Sequence, residues 1–223
     1  LIPELLLVDN GGNADVLDVL RLPSAWGVQI VGGHGNVGFG AGHNLTISGL
    51  TDFHLILNPD LELGPDALLQ ALNFMDRHAE CGLLVPAATW GDGSVQYLCK
   101  RLPTVSDLFL RGFAPDWLRA LLRYRLERYE MRDVINDRLV WDPPVVSGCF
   151  MLFRTPTLQC LNGFDERFFL YFEDFDLSLR AARVTRIAYV PTVKIVHHGG
   201  WAARKGGRHL LLFVRSAVTF FRL

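Results

Sequence analysis

Apolar residues in this chain gather into short runs separated by glycine, asparagine and proline. Leu5-Leu6-Leu7-Val8 stops at Asp9-Asn10-Gly11-Gly12, a turn signal. Val28-Gln29-Ile30-Val31 leads into a glycine-rich loop, Phe53-His54-Leu55-Ile56-Leu57 stops at Asn58-Pro59-Asp60, and Gly82-Leu83-Leu84-Val85 is a fourth run of the same kind. Short apolar runs bounded by turn residues predict buried strands. Between them the spacing turns helical. Asn13 caps a predicted helix over 14–22 that carries Val16, Leu17, Val19 and Leu20. A short helix is predicted over 42–50, and another runs from Pro65, where proline's missing N–H does no harm, to about His78. This β-α-β-α-β-α-β order predicts an α/β fold with a Rossmann-like, mostly parallel central sheet flanked by helices.

From Gly91 to Asp142 the pattern changes to interleaved Arg, Tyr and Leu, which predicts a hairpin-like turn followed by helices. Strand character returns over 145–153, 187–191 and 193–197, and the stretch 170–180 begins irregular and becomes helical. Arg180 to Ile187 leaves little chain for a helix end, a turn and a new strand. No internal repeat, low-complexity linker or second apolar core breaks the pattern, so one domain over 1–223 is expected.

Composition narrows the function classes. Half of the 223 residues are hydrophobic, enough for one sizeable core. The formal net charge is -1, so no global field attracts nucleic acid. Cys81, Cys99, Cys149 and Cys160 are scattered with no CxxC pair, which argues against a zinc site or disulfide framework and fits a reducing, cytoplasmic setting. No apolar run approaches the length that spans a bilayer.

Acidic residues stand where burial makes them costly. Asn58-Pro59-Asp60 closes a buried strand, and ligands of open parallel sheets lie outside the carboxyl ends of the strands. Asp60 there suits a hard divalent cation completed by substrate phosphate oxygens, although an aspartate near a helix start is also comfortable. Glu173 and Asp174 follow Phe168-Phe169-Leu170-Tyr171-Phe172. Adjacent carboxylates among aromatics acquire raised or split pKa values, the condition for a general base; the plainer reading is an acidic helix N-terminus. Asp176 and Arg180, at i and i+4, read as a structural ion pair. His197 and His198 end a strand and point to opposite faces, so at most one turns toward a metal or diphosphate.

Two further features compete for attention. Gly33-His34-Gly35-Asn36-Val37-Gly38 matches GxGxxG after a strand and before a helix, with Asp60 further on. That supports an NAD-type oxidoreductase as the second reading. It ranks lower because a strand with its own acidic end at Asp9 precedes it, and because it leaves Glu173-Asp174 and the histidine pair unexplained. Arg101, Arg111, Arg119, Arg123, Arg125 and Arg128 are interleaved with apolar and aromatic residues, and Arg208, Arg215 and Arg222 repeat the theme in the tail. Such stretches are solvated helix faces or docking helices in the plain reading, and contacts with an anionic acceptor or a membrane surface in the sharper one.

Taken in order, these pieces resemble the inverting glycosyltransferases of family 2, which have the GT-A fold. The matching residues are Val8-Asp9-Asn10, Asn36 through Asn44, Leu57-Asn58-Pro59-Asp60, Ser147 through Met151, Gly163 through Phe169, Tyr171 through Leu177, and His197-His198-Gly199-Gly200. Lys100-Arg101-Leu102-Pro103-Thr104 and the Arg-rich tail are similar to the rhamnosyltransferase-like branch. The resemblance implies a nucleotide-sugar-binding half over about 1–90 and an acceptor and catalytic half over about 91–223. It implies that Asp9 hydrogen-bonds the nucleotide base, and that Asn36, Gly38, Asn44 and Asn58 line the donor pocket. Asp60, with Asn58 in place of the first acid of the family's DxD motif, and His198 (or His197) would hold Mg²⁺ or Mn²⁺. Asp174 would be the base, with Glu173 beside it orienting substrate. The implied donor is dTDP-L-rhamnose or a UDP-sugar. The implied acceptor is a glycan or polyprenyl-linked sugar in cell-surface polysaccharide synthesis, met in the cytoplasm or peripherally at the inner face of the cell membrane. Family members open with an apolar strand before the Asp9 strand. Nothing here matches it, so either that strand is missing from the sequence or the pocket is crippled, leaving a catalytically dead sugar-nucleotide-binding module.

Overall fold

The computed structural model describes residues 4–12, 27–47, 51–112, 114–199 and 207–223. The helix expected over 14–22 lies outside them. Strands β1 (Glu4–Val8) and β2 (Gly27–Val31) pair in parallel. A glycine-rich loop then enters α1 (Phe39–Asn44), which starts three residues earlier than its apolar pattern suggests. β3 (Phe53–Leu57), β4 (Leu61–Leu63), α2 (Ala67–Arg77) and β5 (Cys81–Thr89) follow. The Arg-rich region holds the short strands β6 (Val95–Gln96) and β7 (Cys99–Lys100) and the helices α3 (Val105–Gly112), α4 (Asp116–Leu121) and α5 (Arg123–Tyr129). The chain returns through β8 (Val140–Trp141), β9 (Val145–Val146), β10 (Phe150–Arg154) and α6 (Thr155–Cys160). It ends with α7 (Glu173–Ala181), β11 (Arg186–His197) and α8 (Gly207–Phe220).

The main sheet has the order β3-β10-β5-β11-β4, with β6 on β5 and β8 on β11. It is mixed rather than mostly parallel. β3, β5 and β11 share one direction, while β10 inserts antiparallel between β3 and β5 and β4 closes the far side antiparallel to β11. A continuous apolar run reads the same in either direction, so periodicity could not reveal this. The run 145–153 is two strands, broken at Ser147-Gly148-Cys149. By contrast 187–191 and 193–197 are one strand with a register shift between Val190 and Lys194. The short connection after α7 suffices because Val184 and Thr185 N–H groups fold back onto the Ala181 carbonyl at 3.0 and 2.9 Å.

Side chains alternate across the sheet as pleating requires. Leu83, Val85, Met151, Phe153, Ile187 and Tyr189 face Leu158 of α6 and Leu177 and Ala181 of α7. Leu84, Phe150, Leu152, Ala188 and Val190 face Ala67, Ala71 and Met75 of α2. The β1–β2 pair is a separate sheet. It is tied to the rest at its carboxyl end, where Asn10 Nδ2 donates to the Gly38 carbonyl at 2.9 Å.

Candidate active site

The loop between β2 and α1 is shaped by protein contacts. Gly38 has φ 97°, and a Cβ there would lie 2.4 Å from the Phe169 carbonyl oxygen. Only glycine accepts both that dihedral and that approach. The Phe39 N–H donates to the same carbonyl at 3.0 Å, sealing the loop onto the segment before α7. In a dinucleotide fingerprint, glycines of this kind clear space for a pyrophosphate; here backbone fills the space at Gly38. The residues expected to line the donor pocket are also partly committed. Asn36 Oδ1 accepts the Gly38 N–H at 3.1 Å. Asn44, expected to face nucleotide, spends its amide on the chain: Oδ1 accepts from Phe164 N–H at 2.8 Å, and Nδ2 donates to the Phe164 carbonyl at 2.9 Å and Glu166 at 3.2 Å. It is a clamp between α1 and the Gly163–Glu166 turn. Asp9 Oδ1 caps its own turn, accepting from the Gly11 and Gly12 N–H groups at 2.9 and 2.8 Å.

At the carboxyl end of β3, three polar atoms are buried without a hydrogen-bond partner: Asn58 Oδ1, Asp60 Oδ1 and His197 Nε2. Burying such atoms unpaired costs about 1–3 kcal/mol each. His197 Nε2 lies 3.4 Å from Asp60 Oδ1, and its Nδ1 is held by Gln96 Oε1 at 2.9 Å. Burial lowers the His197 pKa, with the charge of Asp60 opposing, so a neutral, ligating imidazole is favoured. The strand alternation resolves the histidine pair. His197 turns to Asp60, whereas exposed His198, the residue expected first as a ligand, turns to Glu62 Oε1 at 2.8 Å. Gly199 makes room for this corner, since a Cβ would fall 1.8 Å from Asp60 Oδ2. Among the described residues no trio of His, Cys, Asp and Glu forms a metal cage. One carboxylate, one imidazole and one amide oxygen still fit a divalent ion whose shell is completed by phosphate oxygens.

The second carboxylate group sits at the start of α7. Tyr171 and Phe172 have φ 71° and 67°, left-handed positions that cost aromatic residues about 1–3 kcal/mol each. Packing from α8 secures them. Tyr171 OH meets His209 Nδ1 at 2.8 Å, Ser216 Oγ donates to the Leu170 carbonyl at 2.8 Å, and the Phe172 ring lies 5.2 and 5.3 Å from those of Phe213 and Phe220. The reversal launches α7 with Glu173 and Asp174 in its first turn. Asp174 Oδ2 accepts the Gly148 N–H and Oδ1 the Phe175 N–H, both at 3.0 Å. Burial raises the Asp174 pKa against those N–H groups and the positive charge of Arg111. Glu173 is 5% exposed with Oε2 unpartnered; burial, then the charge of Asp174, raises its pKa. A carboxylate lifted toward neutrality and fixed by two N–H donors can accept a proton from a substrate hydroxyl.

Two adjacent residues join these groups. Gly148 N–H holds Asp174, and the Cys149 carbonyl accepts the Asn58 N–H at 2.9 Å. The Cys149 thiol is pushed up to about 12 by burial, with the charges of Asp174 and Asp60 both contributing. Basic groups flank Asp174, of which Arg111 belongs to the Arg-rich stretch singled out above and Lys100 does not. Lys100, 6% exposed, is pushed down to about 7 by burial and the charge of Arg111. Arg111 lies 3.7 Å from Glu130. The buried Tyr129 phenol is pushed up to about 12 by burial, with Arg111 opposing and Asp174 adding to the rise. The cue lay in Lys100, a lysine between Cys99 and Arg101-Leu102-Pro103, but nothing in the spacing showed it to be buried.

Comparison with known proteins places the arrangement. No protein-family model matches the chain. It is 30% identical over 241 aligned residues to the N-acetylglucosaminyl-diphospho-decaprenol L-rhamnosyltransferase of Mycobacterium tuberculosis, covering 97% of this chain and 74% of that protein. The chain belongs to the rhamnosyltransferase family of glycosyltransferases. Rhamnosyltransferase WbbL of Escherichia coli is 29% identical over 187 residues, covering 77% of this chain and 64% of the relative. The fold is also found in solved glycosyltransferase structures that this rhamnosyltransferase-family chain matches at low identity. These include GalNAc-T7 with UDP, GalNAc and Mn²⁺ (TM-score 0.62, 13% identity, 96% of this chain and 41% of that one). The mannosyltransferase PcManGT of Pyrobaculum calidifontis, solved with GDP-Man and Mn²⁺, gives a TM-score of 0.55 at 15% identity over 97% of this chain and 54% of that one. TarS 1–349 of S. aureus with UDP gives 0.52 at 15% identity over 90% and 52%. The chain thus spans about half the length of those solved chains. The central sheet and its helices are those of a GT-A glycosyltransferase.

Proposed function

We propose that this glycosyltransferase moves L-rhamnose from dTDP-L-rhamnose to a hydroxyl of a polyprenyl-diphosphate-linked sugar, with inversion, in cell-surface glycan synthesis on the cytoplasmic side of the membrane. The donor and acceptor classes follow from the similarity to the mycobacterial rhamnosyltransferase. The observation that carries the chemistry is the joining of Asp174 to the Asn58-Pro59-Asp60 turn, at Asn58, through Gly148 and Cys149.

Asp60, His197 and Asn58 would hold Mg²⁺ or Mn²⁺. When bound, such an ion neutralises charge on the departing nucleotide diphosphate. Asp174 takes the proton of the acceptor hydroxyl as its oxygen attacks the anomeric carbon. Gly148 and Phe175 N–H groups fix the carboxylate's orientation, and burial, by raising its pKa, makes it a stronger proton acceptor than a solvated aspartate. Burial and the charge of its neighbour raise the pKa of Glu173 as well, so the pair favours holding a single negative charge between them. Asp9 and the loop through Asn36 and Gly38 border the nucleotide side. Arg111, partly exposed and acting on Asp174 with its positive charge, gives the acceptor side a cation that suits a diphosphate.

The test is to titrate dTDP-L-rhamnose, UDP-sugars and NAD with and without Mn²⁺, and to follow transfer to a short-chain N-acetylglucosaminyl diphosphate. Metal-dependent binding of dTDP-L-rhamnose with turnover supports the proposal. Binding with no turnover on any acceptor points to a dead sugar-nucleotide-binding module, and preference for a UDP-sugar overturns the donor assignment.

A further inference from the structure

Helix α8 is apolar on two sides. Phe213, Ala217 and Phe220 pack against the Phe168–Phe172 cluster. The opposite side should be polar in a helix that merely docks. It is not: Leu211 is 69% exposed, Val214 48%, Val218 45% and Phe221 44%. At 100° per residue these four form one outward stripe. Arg208, Arg215 and Arg222, spaced seven residues apart, run along its edge. All three are exposed, and none makes an ion pair among the described residues. From 207 to 223 there is no Asp or Glu, although the whole chain carries a net charge of -1. Helix α3 joins the same aromatic cluster through Leu108 and leaves Val105 68% exposed.

We propose that the outer face of α8 lies on an anionic lipid bilayer. The leucine, valine and phenylalanine side chains would enter the acyl boundary while the arginine line meets the lipid phosphates. No described helix is long and apolar enough to cross a membrane, so the contact is interfacial. A second copy of the chain is a poorer occupant: a two-fold α8–α8 contact would bring two lines of unpaired arginines into one interface. The inner face of the same helix holds the Leu170–Phe172 turn through Ser216 and His209. Docking would therefore set Asp174 at a fixed height above the bilayer. The inference rests on the proposed reaction only in putting a lipid-linked acceptor in that bilayer.

The experiment is co-sedimentation of the protein with phosphatidylcholine vesicles and with vesicles that also contain phosphatidylglycerol, at low and high salt. Binding should require the anionic lipid and weaken with salt. A triple R208E, R215E, R222E variant should lose it by on the order of 100-fold or more, from about 1 kcal/mol per basic residue at the surface. An L211D, V218D variant should lose it without changing the circular dichroism spectrum. Absence of wild-type binding to anionic vesicles overturns the inference, as does binding that both variants retain. So does a dimer that L211D, V218D dissolves while no vesicle is bound. Transfer to the short-chain diphosphate acceptor, run in parallel, separates the two ideas. Both variants should keep wild-type turnover there. If no protein turns over but vesicle binding follows the pattern above, the reaction is wrong and the membrane face stands.

Discussion

Asp174→Asn is the sharpest probe of the base. The side chain keeps its shape but can no longer take a proton. In the wild type, Asp174 accepts from Gly148 and Phe175, each at 3.0 Å. An amide has one oxygen, so one of these donors would face an NH₂ group instead. Leaving that N–H unpaired costs about 1–3 kcal/mol of stability, offset in part because a neutral amide escapes the penalty that raises the Asp174 pKa. The catalytic loss is larger. Removing a general base lowers the rate by about 10²–10⁴-fold, or roughly 3–5 kcal/mol of barrier. Single-turnover sugar transfer, calorimetric donor binding and a thermal melt on the same preparation separate these terms. The wild-type rate should climb with pH through the raised carboxylate value and then level off, whereas the variant should be slow and flat. Donor affinity should hold, because Asp60 and His197 face each other rather than Asp174. A rate loss below about tenfold, a parallel fall in donor affinity, or an unchanged pH profile would refute the assignment.

Three other outcomes follow from the same geometry. Glu173 is held above its ordinary value of 4.5, so its contribution to stability is present below that pH and lost as pH rises through the raised value. Denaturant unfolding of Glu173→Gln should show that pH slope, up to about 1.4 kcal/mol per unit, flattened; an unchanged slope assigns it elsewhere. His197→Ala should weaken Mn²⁺-dependent donor binding by on the order of tenfold or more, while His198→Ala, which removes only a surface contact with Glu62, should leave it near wild type; the reverse order would restore His198 as the ligand. Asn44→Ala should lower stability by about 2–4 kcal/mol through the unpaired Phe164 backbone without changing donor affinity, and a selective loss of donor binding would return Asn44 to the pocket.

Some of this was legible in the chain because the signal was local. An apolar run that stops at Asn58-Pro59-Asp60 marks a strand end whatever its direction, and aromatics before Glu173-Asp174 announce carboxylates at low exposure. The insertion of β10 against β3 and β5 was hidden, because strand direction depends on connections that periodicity does not record. The contacts of the Asn44 amide and the burial of Lys100 were hidden for a related reason. Phe164, which holds the Asn44 amide, and Glu130, whose charge acts on Lys100, lie far away in sequence, and a polar residue near a loop looks the same whether it binds a ligand or its own fold. The histidine pair was narrowed to one by alternation, but choosing between His197 and His198 required the pairing of β11 with β4.

The turn before β10 has a consequence for how such an enzyme can diversify. Gly148 and Cys149 are consecutive, so the spacing between Asp174, the proposed proton acceptor, and Asn58 at the proposed leaving-group corner is set by one covalent link and two hydrogen bonds, one to a carboxylate and one to a backbone N–H. Breathing of the sheet carries both corners along as one piece. Loops that choose the sugar or the acceptor can then be exchanged, lengthened or shortened around a reaction axis whose length is inherited unchanged.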